Sequence, residues 1–434
     1  MQIIRKDYKS VGETLYSGKL ENGLKIFVIP KKDFNSQYAV FGTHYGGAMR
    51  RFEINGEFVD TPAGVAHFLE HKMFDMPDGT NALTTLSENG ADANAFTSTD
   101  LTCYHFSCTE RFEDNLRLLL RFVSTPYYTP ETVQKEQGII AQEILMGDDS
   151  PGRQVYYDLL SLLYEHHPIR EAVIGTVKSI SKITDQTLYD CHSVFYAPSN
   201  MVLCVEGDVE PERIFAIAAE ELSPERKSVP HADFGEAESA LPVSQHKERQ
   251  MPVGIPEFLI GAKLSRGAKP SPEGDISSML RERLVAGLSL RLLAGSSSPF
   301  YTRLYAEGTL TRDFDFEADY TADTATMIIG GQSTDPERVL QELLAEADTV
   351  RQKGFQKAYF SRTRKAMIGG RLRGLEDFDG FCVSLLADAF DGFCTLDAIE
   401  ILPEIRREEC EKWIAETFSP EKLAMAVIRP VREP

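Results

Sequence analysis

A chain of 434 residues is too long for a single hydrophobic core, and 42% apolar residues suffice to build two. The formal net charge of −20 argues against a nucleic-acid partner, since phosphate contacts need basic patches, but it permits attraction of a cationic peptide. No apolar run reaches the length of a membrane span, the N-terminus lacks the apolar stretch of a secretion signal, and seven scattered cysteines read as reduced thiols. A cytoplasmic protein is expected.

Along the chain, Lys25 to Ile29 reads as a strand. At His67-Phe68-Leu69-Glu70-His71, two histidines four apart share one helix face, so both imidazoles can reach a single ion. Glu70 lies one residue before His71, close enough to hold a water on that ion without being a ligand. Hydrolysis uses that combination: a Lewis acid that acidifies water and a carboxylate that takes its proton. Residues 80 to 90 read as a helix closed by Gly90. Leu101 to Cys108 reads as a strand that turns Cys103 and Cys108 to opposite faces, which excludes them and His105 as a metal site.

Two histidines leave a catalytic zinc site incomplete. The next helix opens with Thr129 as N-cap, Pro130 at the first helical position and Glu131 complementing the dipole. On it Glu136 and Glu143 stand two turns apart on one face, with Ile139, Ile140 and Ile144 supplying apolar positions around them. An isolated pair of this kind would be solvated. Beside the histidines, either is a candidate third ligand. The remaining histidines (44, 105, 192 and the adjacent pair 166 and 167) read as structural or surface residues, and Gly295-Ser-Ser-Ser298 lacks the lysine of a phosphate-binding loop.

With the order H-x-x-E-H and the two distal glutamates, the chain resembles the pitrilysin/insulinase group of zinc peptidases, the inverzincins, which includes the processing peptidases. The resemblance is nearest to the YmfH-like members of Gram-positive bacteria. It implies that His67, His71 and Glu143 bind Zn2+, that Glu70 is the general base and that Glu136 is an auxiliary carboxylate. Asp92-Ala-Asn94-Ala95-Phe96-Thr97 resembles the family's N-A-x-T strand, which implies that Asn94, Ala95, Phe96 and Thr97 pair with substrate backbone.

A second regularity is internal. Phe195-Tyr-Ala-Pro198 before an apolar strand matches Phe418-Ser-Pro420 before another, each after an amphipathic helix, at a spacing of about half the chain. The expected fold class is therefore α+β. Two similar domains from an internal duplication each carry helices on a largely antiparallel sheet, together one half of a clamshell. The expected boundaries are a catalytic domain over 1–222, a linker over 223–252 and a non-catalytic, substrate-shaping domain over 253–434. The second half carries no ligands where His67 and Glu143 would repeat.

Active members of the family also carry, in the second half, an arginine and a tyrosine seven residues later. Here those positions fall on Thr309 and Phe316, with Arg312 and Tyr305 nearby at other spacings. The resemblance thus implies a zinc endopeptidase for peptides or leader segments. It also implies a second homologous subunit, a heterodimer rather than a homodimer, to close the chamber. A non-catalytic scaffold of the same fold and a zinc aminopeptidase are the alternatives.

Overall fold

The computed structural model describes residues 2–54, 56–265 and 276–431. The strands of the first half are β1 Ile3–Tyr8, β2 Glu13–Lys19, β3 Lys25–Pro30, β4 Gln37–Thr43, β5 Arg51–Ile54, β6 Glu57–Asp60, β7 Asp92–Thr97, β8 Thr102–Cys108, β9 Met201–Gly207 and β10 Ala232–Asp233. Those of the second are β11 His246–Met251, β12 Glu257–Lys263, β13 Asp315–Asp319, β14 Thr326–Gln332 and β15 Ala424–Pro430. The helices before residue 200 are α1 Val65–Lys72, α2 Ala82–Glu88, α3 Phe112–Ser124, α4 Pro130–Asp148, α5 Pro151–Leu163, α6 Val177–Ile180 and α7 Asp185–Phe195. Then come α8 Pro211–Glu221, α9 Ile276–Ala294, α10 Pro299–Ala306, α11 Pro336–Lys353, α12 Lys357–Gly374, α13 Phe378–Phe390, α14 Asp397–Ile401 and α15 Arg407–Thr417.

The large sheet has the order β1-β2-β3-β9-β4-β8-β7, a small one the order β10-β5-β6, and the second large one the order β11-β15-β12-β14-β13. Setting β9 against β15 and β4 against β12 makes the second a copy of the last five strands of the first. The one parallel pair is copied too, β3 beside β9 and β11 beside β15. The repeat read from sequence lies here: α7 and α15 each lead through a short turn (Pro198–Asn200, Pro420–Lys422) into those central strands. The duplication is a property of the topology.

The compact units do not follow the expected division at 222 and 253. One comprises the chain up to Ile144 with Ala172–Phe234 and Leu372–Leu396; the other comprises Leu145–Glu171, Gly235–Arg371 and the chain from Asp397. Two helices are exchanged. α5, coded in the first half, lies on β12 and β15, while α13, coded in the second, lies on β4 and β9. Each exchanged helix seats leucines against a glycine of the strand beneath it. A Cβ on Gly42 would stand 2.9 Å from Leu386, and one on Gly261 2.9 Å from Leu159, so a larger residue would push the helix away. The expected linker also contains structure, because residues 246–251 form β11, in parallel register with β15.

In the first unit, Phe68 and Leu69 of α1, Leu116 and Leu120 of α3, and Leu203 and Val205 of β9 share one buried core. In the second, Leu159 and Leu163 of α5 pack with Ala426 and Ile428 of β15. Among the described residues no helix is long and apolar enough to cross a membrane.

Candidate metal centre

Helix α1 begins at Gly64, whose φ of 98° lies in the left-handed region. A Cβ there would come within 2.5 Å of the Ile174 carbonyl oxygen, so no side chain fits. From this start Val65, Ala66, Phe68 and Leu69 are buried against the sheet. His67 and His71 fall on the remaining face, with 13% and 26% of their side chains exposed. The rings stand 4.6 Å apart, on neighbouring turns.

Helix α4 brings the carboxylates. Thr129 and Thr132 exchange amide-to-hydroxyl bonds at 3.3 Å, which caps its first turn. Gln137 donates to the carbonyls of Ile180 and Ile183, and Ile140 and Ile144 are buried. Ile139, expected among the apolar positions, is half exposed.

Glu143 reaches both histidines at once: Oε1 lies 3.6 Å from His67 Nε2 and Oε2 lies 3.7 Å from His71 Nε2. These separations are too long for hydrogen bonds. With bonds of about 2.0–2.2 Å, tetrahedral zinc ligands stand roughly 3.4 Å apart, so the three groups fit a shared ion. Among the described residues they are the one group of three such side chains with ligand atoms all within 4.8 Å of one another. Glu136 takes a different place, its Oε1 3.0 Å from His71 Nδ1. That contact orients the ring and leaves Nε2 turned to the metal position. Burial disfavours the charged form of His71, yet the bond to Glu136 and the charges of Glu70, Glu136 and Glu143 outweigh it and raise the pKa. Of the two candidate third ligands, Glu143 faces both histidines and Glu136 supports one.

Glu70 is buried, with 8% exposed. The Thr97 hydroxyl donates to its Oε2 at 2.6 Å. Burial pushes the Glu70 carboxyl up, and Glu143 adds to this; the Thr97 bond and the charge of His71 work against it. Thr97 therefore spends its side chain on Glu70 rather than on the outer surface, a role its place in the N-A-x-T pattern did not reveal. Among the described residues β7 ends its sheet and pairs only with β8. Asn94 is exposed, and its Oδ1 accepts from the Ala95 amide at 2.9 Å. Phe96 turns to the face opposite Thr97 and stands edge-on to His105 at 6.3 Å.

The second half places other chemistry at the corresponding points. Ser289 of α9 is buried and donates to the Val285 carbonyl at 2.6 Å. Thr309 is buried, and Phe316 lies on the edge strand β13. Arg312 Nε donates to the Tyr305 hydroxyl at 3.1 Å, so the two nearby residues form a pair with each other.

Two histidines on one helix, two glutamates on a second and a buried glutamate between the histidines are thus gathered in one place. Residues 55–177 match the model of the insulinase family, peptidase family M16, and residues 182–367 match that of the peptidase M16 inactive domain. The chain belongs to peptidase family M16. It is 36% identical to the uncharacterized zinc protease YmfH of Bacillus subtilis, over 98% of both chains. An uncharacterized zinc protease of Mycobacterium tuberculosis is 26% identical, over 73% of this chain and 72% of its own. The fold matches that of an M16-like peptidase from Alicyclobacillus acidocaldarius with a TM-score of 0.89, at 29% identity and 99% coverage of both chains. A protease from Helicobacter pylori shares the fold at a TM-score of 0.81, with 18% identity.

Proposed function

We propose that the chain is a zinc metalloendopeptidase acting on peptides or leader segments, with zinc held by His67, His71 and Glu143. The observation that carries this reading is the approach of Glu143 to both Nε2 atoms beside the buried Glu70. When bound there, zinc supplies a Lewis acid that polarises the scissile carbonyl and acidifies water. Glu70 accepts the proton at its carboxylate and delivers it to the leaving amine. The Thr97 bond fixes one of its oxygens and leaves the other for that transfer. Glu136 holds the His71 ring. An extended peptide adds to the free edge of β7, displacing the Asn94 side chain from the Ala95 amide and using backbone bonds that tolerate varied sequences.

A second homologous subunit is proposed to supply the donors that Thr309 and Phe316 do not, raising turnover without adding zinc ligands. Full peptidase activity of a monodisperse monomer would contradict that part.

Internally quenched peptides with free and with blocked amino termini test the main reading. Cleavage of both, lost with a chelator and restored by zinc, is expected. Cleavage of the free form alone would make the protein an aminopeptidase, and cleavage of neither, with or without a partner subunit, a scaffold. Glu143→Gln should lose zinc on dialysis, read by metal analysis; full retention would remove Glu143 from the ligand set.

A further inference from the structure

On the face of the large sheet that α1 covers, rows of cross-strand neighbours are apolar: Ala39, Phe106 and Ala93 form one, and Phe41, Tyr104 and Ala95 the next. The row after these is Thr43, Thr102 and Thr97, three hydroxyls side by side at the end of β4, the start of β8 and the end of β7. Thr43 and Thr102 are fully buried, so each hydroxyl needs a partner. Thr43 donates to the Phe195 carbonyl at 2.6 Å and Thr102 to the Tyr45 carbonyl at 2.8 Å. Of the three, Thr97 alone gives its proton to a side chain, the Glu70 carboxylate.

The Thr102 hydroxyl faces two oxygens, for Thr97 Oγ1 stands 3.3 Å away beside the Tyr45 carbonyl. A proton shared in this way favours the nearer acceptor but still presents positive charge to the other. The backbone around Thr97 is held independently. The Gly47 and Ala48 amides donate to the carbonyls of Ser98 and Thr99, both at 2.9 Å. A Cβ on Gly46 would stand 2.4 Å from the Asp100 amide nitrogen, so the loop after β7 rests directly on this glycine. What the backbone leaves open is rotation of the Thr97 side chain about χ1. One staggered step moves its oxygen away from Glu70 and removes the donor.

We propose that Thr102 is a positioning residue for the base: its hydroxyl selects the Thr97 rotamer that donates to Glu70, and so fixes which carboxylate oxygen stays free. The inference rests on the reading of Glu70 as the base of a zinc peptidase. Being fully buried, Thr102 acts only through Thr97. Valine matches the shape of threonine but has no hydroxyl, whereas serine keeps the hydroxyl and gives up the methyl group.

Quenched-peptide kinetics of zinc-loaded, full-length variants test this, with circular dichroism as the check of folding. Thr102→Val should lower kcat about tenfold with KM and zinc content unchanged, and Thr102→Ser should stay within about twofold of wild type. Thr102→Ala, which removes the hydroxyl without filling its place, should behave as the valine variant does. In a Thr97→Val background, Thr102→Val should cost nothing further, because the route to Glu70 is already cut. The Thr97 rotamer is read separately, from three-bond couplings to its methyl carbon. One staggered state is expected in wild type and Thr102→Ser, and averaging in Thr102→Val. Wild-type kcat in Thr102→Val and Thr102→Ala, a serine variant as slow as valine, or a full additional loss in the Thr97→Val background would overturn the proposal. So would a Thr97 rotamer indifferent to the Thr102 hydroxyl. The couplings need no turnover: a wild type that cleaved no peptide would fail the reading of the site, and an indifferent rotamer would fail the inference.

Discussion

Helices α4 and α12 occupy the same place in two copies of one topology, each following a hairpin-paired edge strand and one intervening helix. The first turns Glu136 and Glu143 toward two histidines; the second carries six cations and stacks Arg362 on Tyr359. The central strands diverge in the same way. Glu206 of β9 is fully buried beneath α13, next to Cys382, whereas Ile428, at the matching point of β15, joins the apolar core beneath α5. The strand order is set by many apolar positions that tolerate exchange, while the chemistry rests on a few side chains that do not. A duplicated fold can therefore keep its architecture while, among the described residues, only one copy gathers a cluster such as His67, His71 and Glu143.

If the asymmetry is real, the largest effect should come from Glu70. Glu70→Gln keeps shape and hydrogen bonding but not basicity, and kcat should fall on the order of a hundredfold or more with zinc content unchanged. Wild-type turnover in a zinc-loaded variant would break the comparison at its centre.

Substitutions in the exchanged helices should instead act symmetrically on stability. Leu386→Ala in α13 and Leu159→Ala in α5 each open a cavity over a central strand, at a cost of about 2–5 kcal/mol in denaturant titrations. A cost in only one of them would mean that the two units do not depend equally on their exchanged helix.

Glu136→Gln should weaken zinc affinity about tenfold to a hundredfold, since it orients a ligand without being one. Competition with a chelating dye reads this, and an unchanged affinity would reduce Glu136 to a bystander.

The smallest effect is a pH dependence carried by Glu206 of the first unit. Burial pushes the Glu206 carboxyl up to about 8, against the attraction of Lys31. Its folded pKa thus exceeds its unfolded value. The associated stability is fully present below the ordinary carboxylate range and is lost as pH rises through about 8. Glu206→Gln should remove that loss, so the melting temperature of wild type relative to the variant should drop between pH 6 and pH 9. A constant difference across that range would show that Glu206 does not titrate there.

Much of this was legible beforehand because it is local. Pro130, Thr129 and the H-x-x-E-H spacing declare helices whose faces follow from 3.6 residues per turn, and α4 begins where its cap predicts. Strand β11 falls in the expected linker because His246-Lys-Glu-Arg-Gln-Met lies on a sheet edge, where exposure erases apolar alternation. The exchange of α5 and α13 was invisible for another reason: amphipathicity tells a helix to cover a sheet but not which one. The sequence pattern puts Thr97 on a strand, but its bond to Glu70 depends on how α1 lies across β7, which no spacing encodes.

The helix exchange also governs when the first unit can be completed. Strands β4 and β9 are synthesised by residue 207, but α13, which covers them, ends at Phe390. At ordinary synthesis rates the bare face would wait roughly ten to forty seconds for its cover, long enough to attract a holding chaperone. A product truncated between the halves would end with His67, His71 and Glu143 present and its sheet uncovered, so the first unit is completed only once the chain reaches α13.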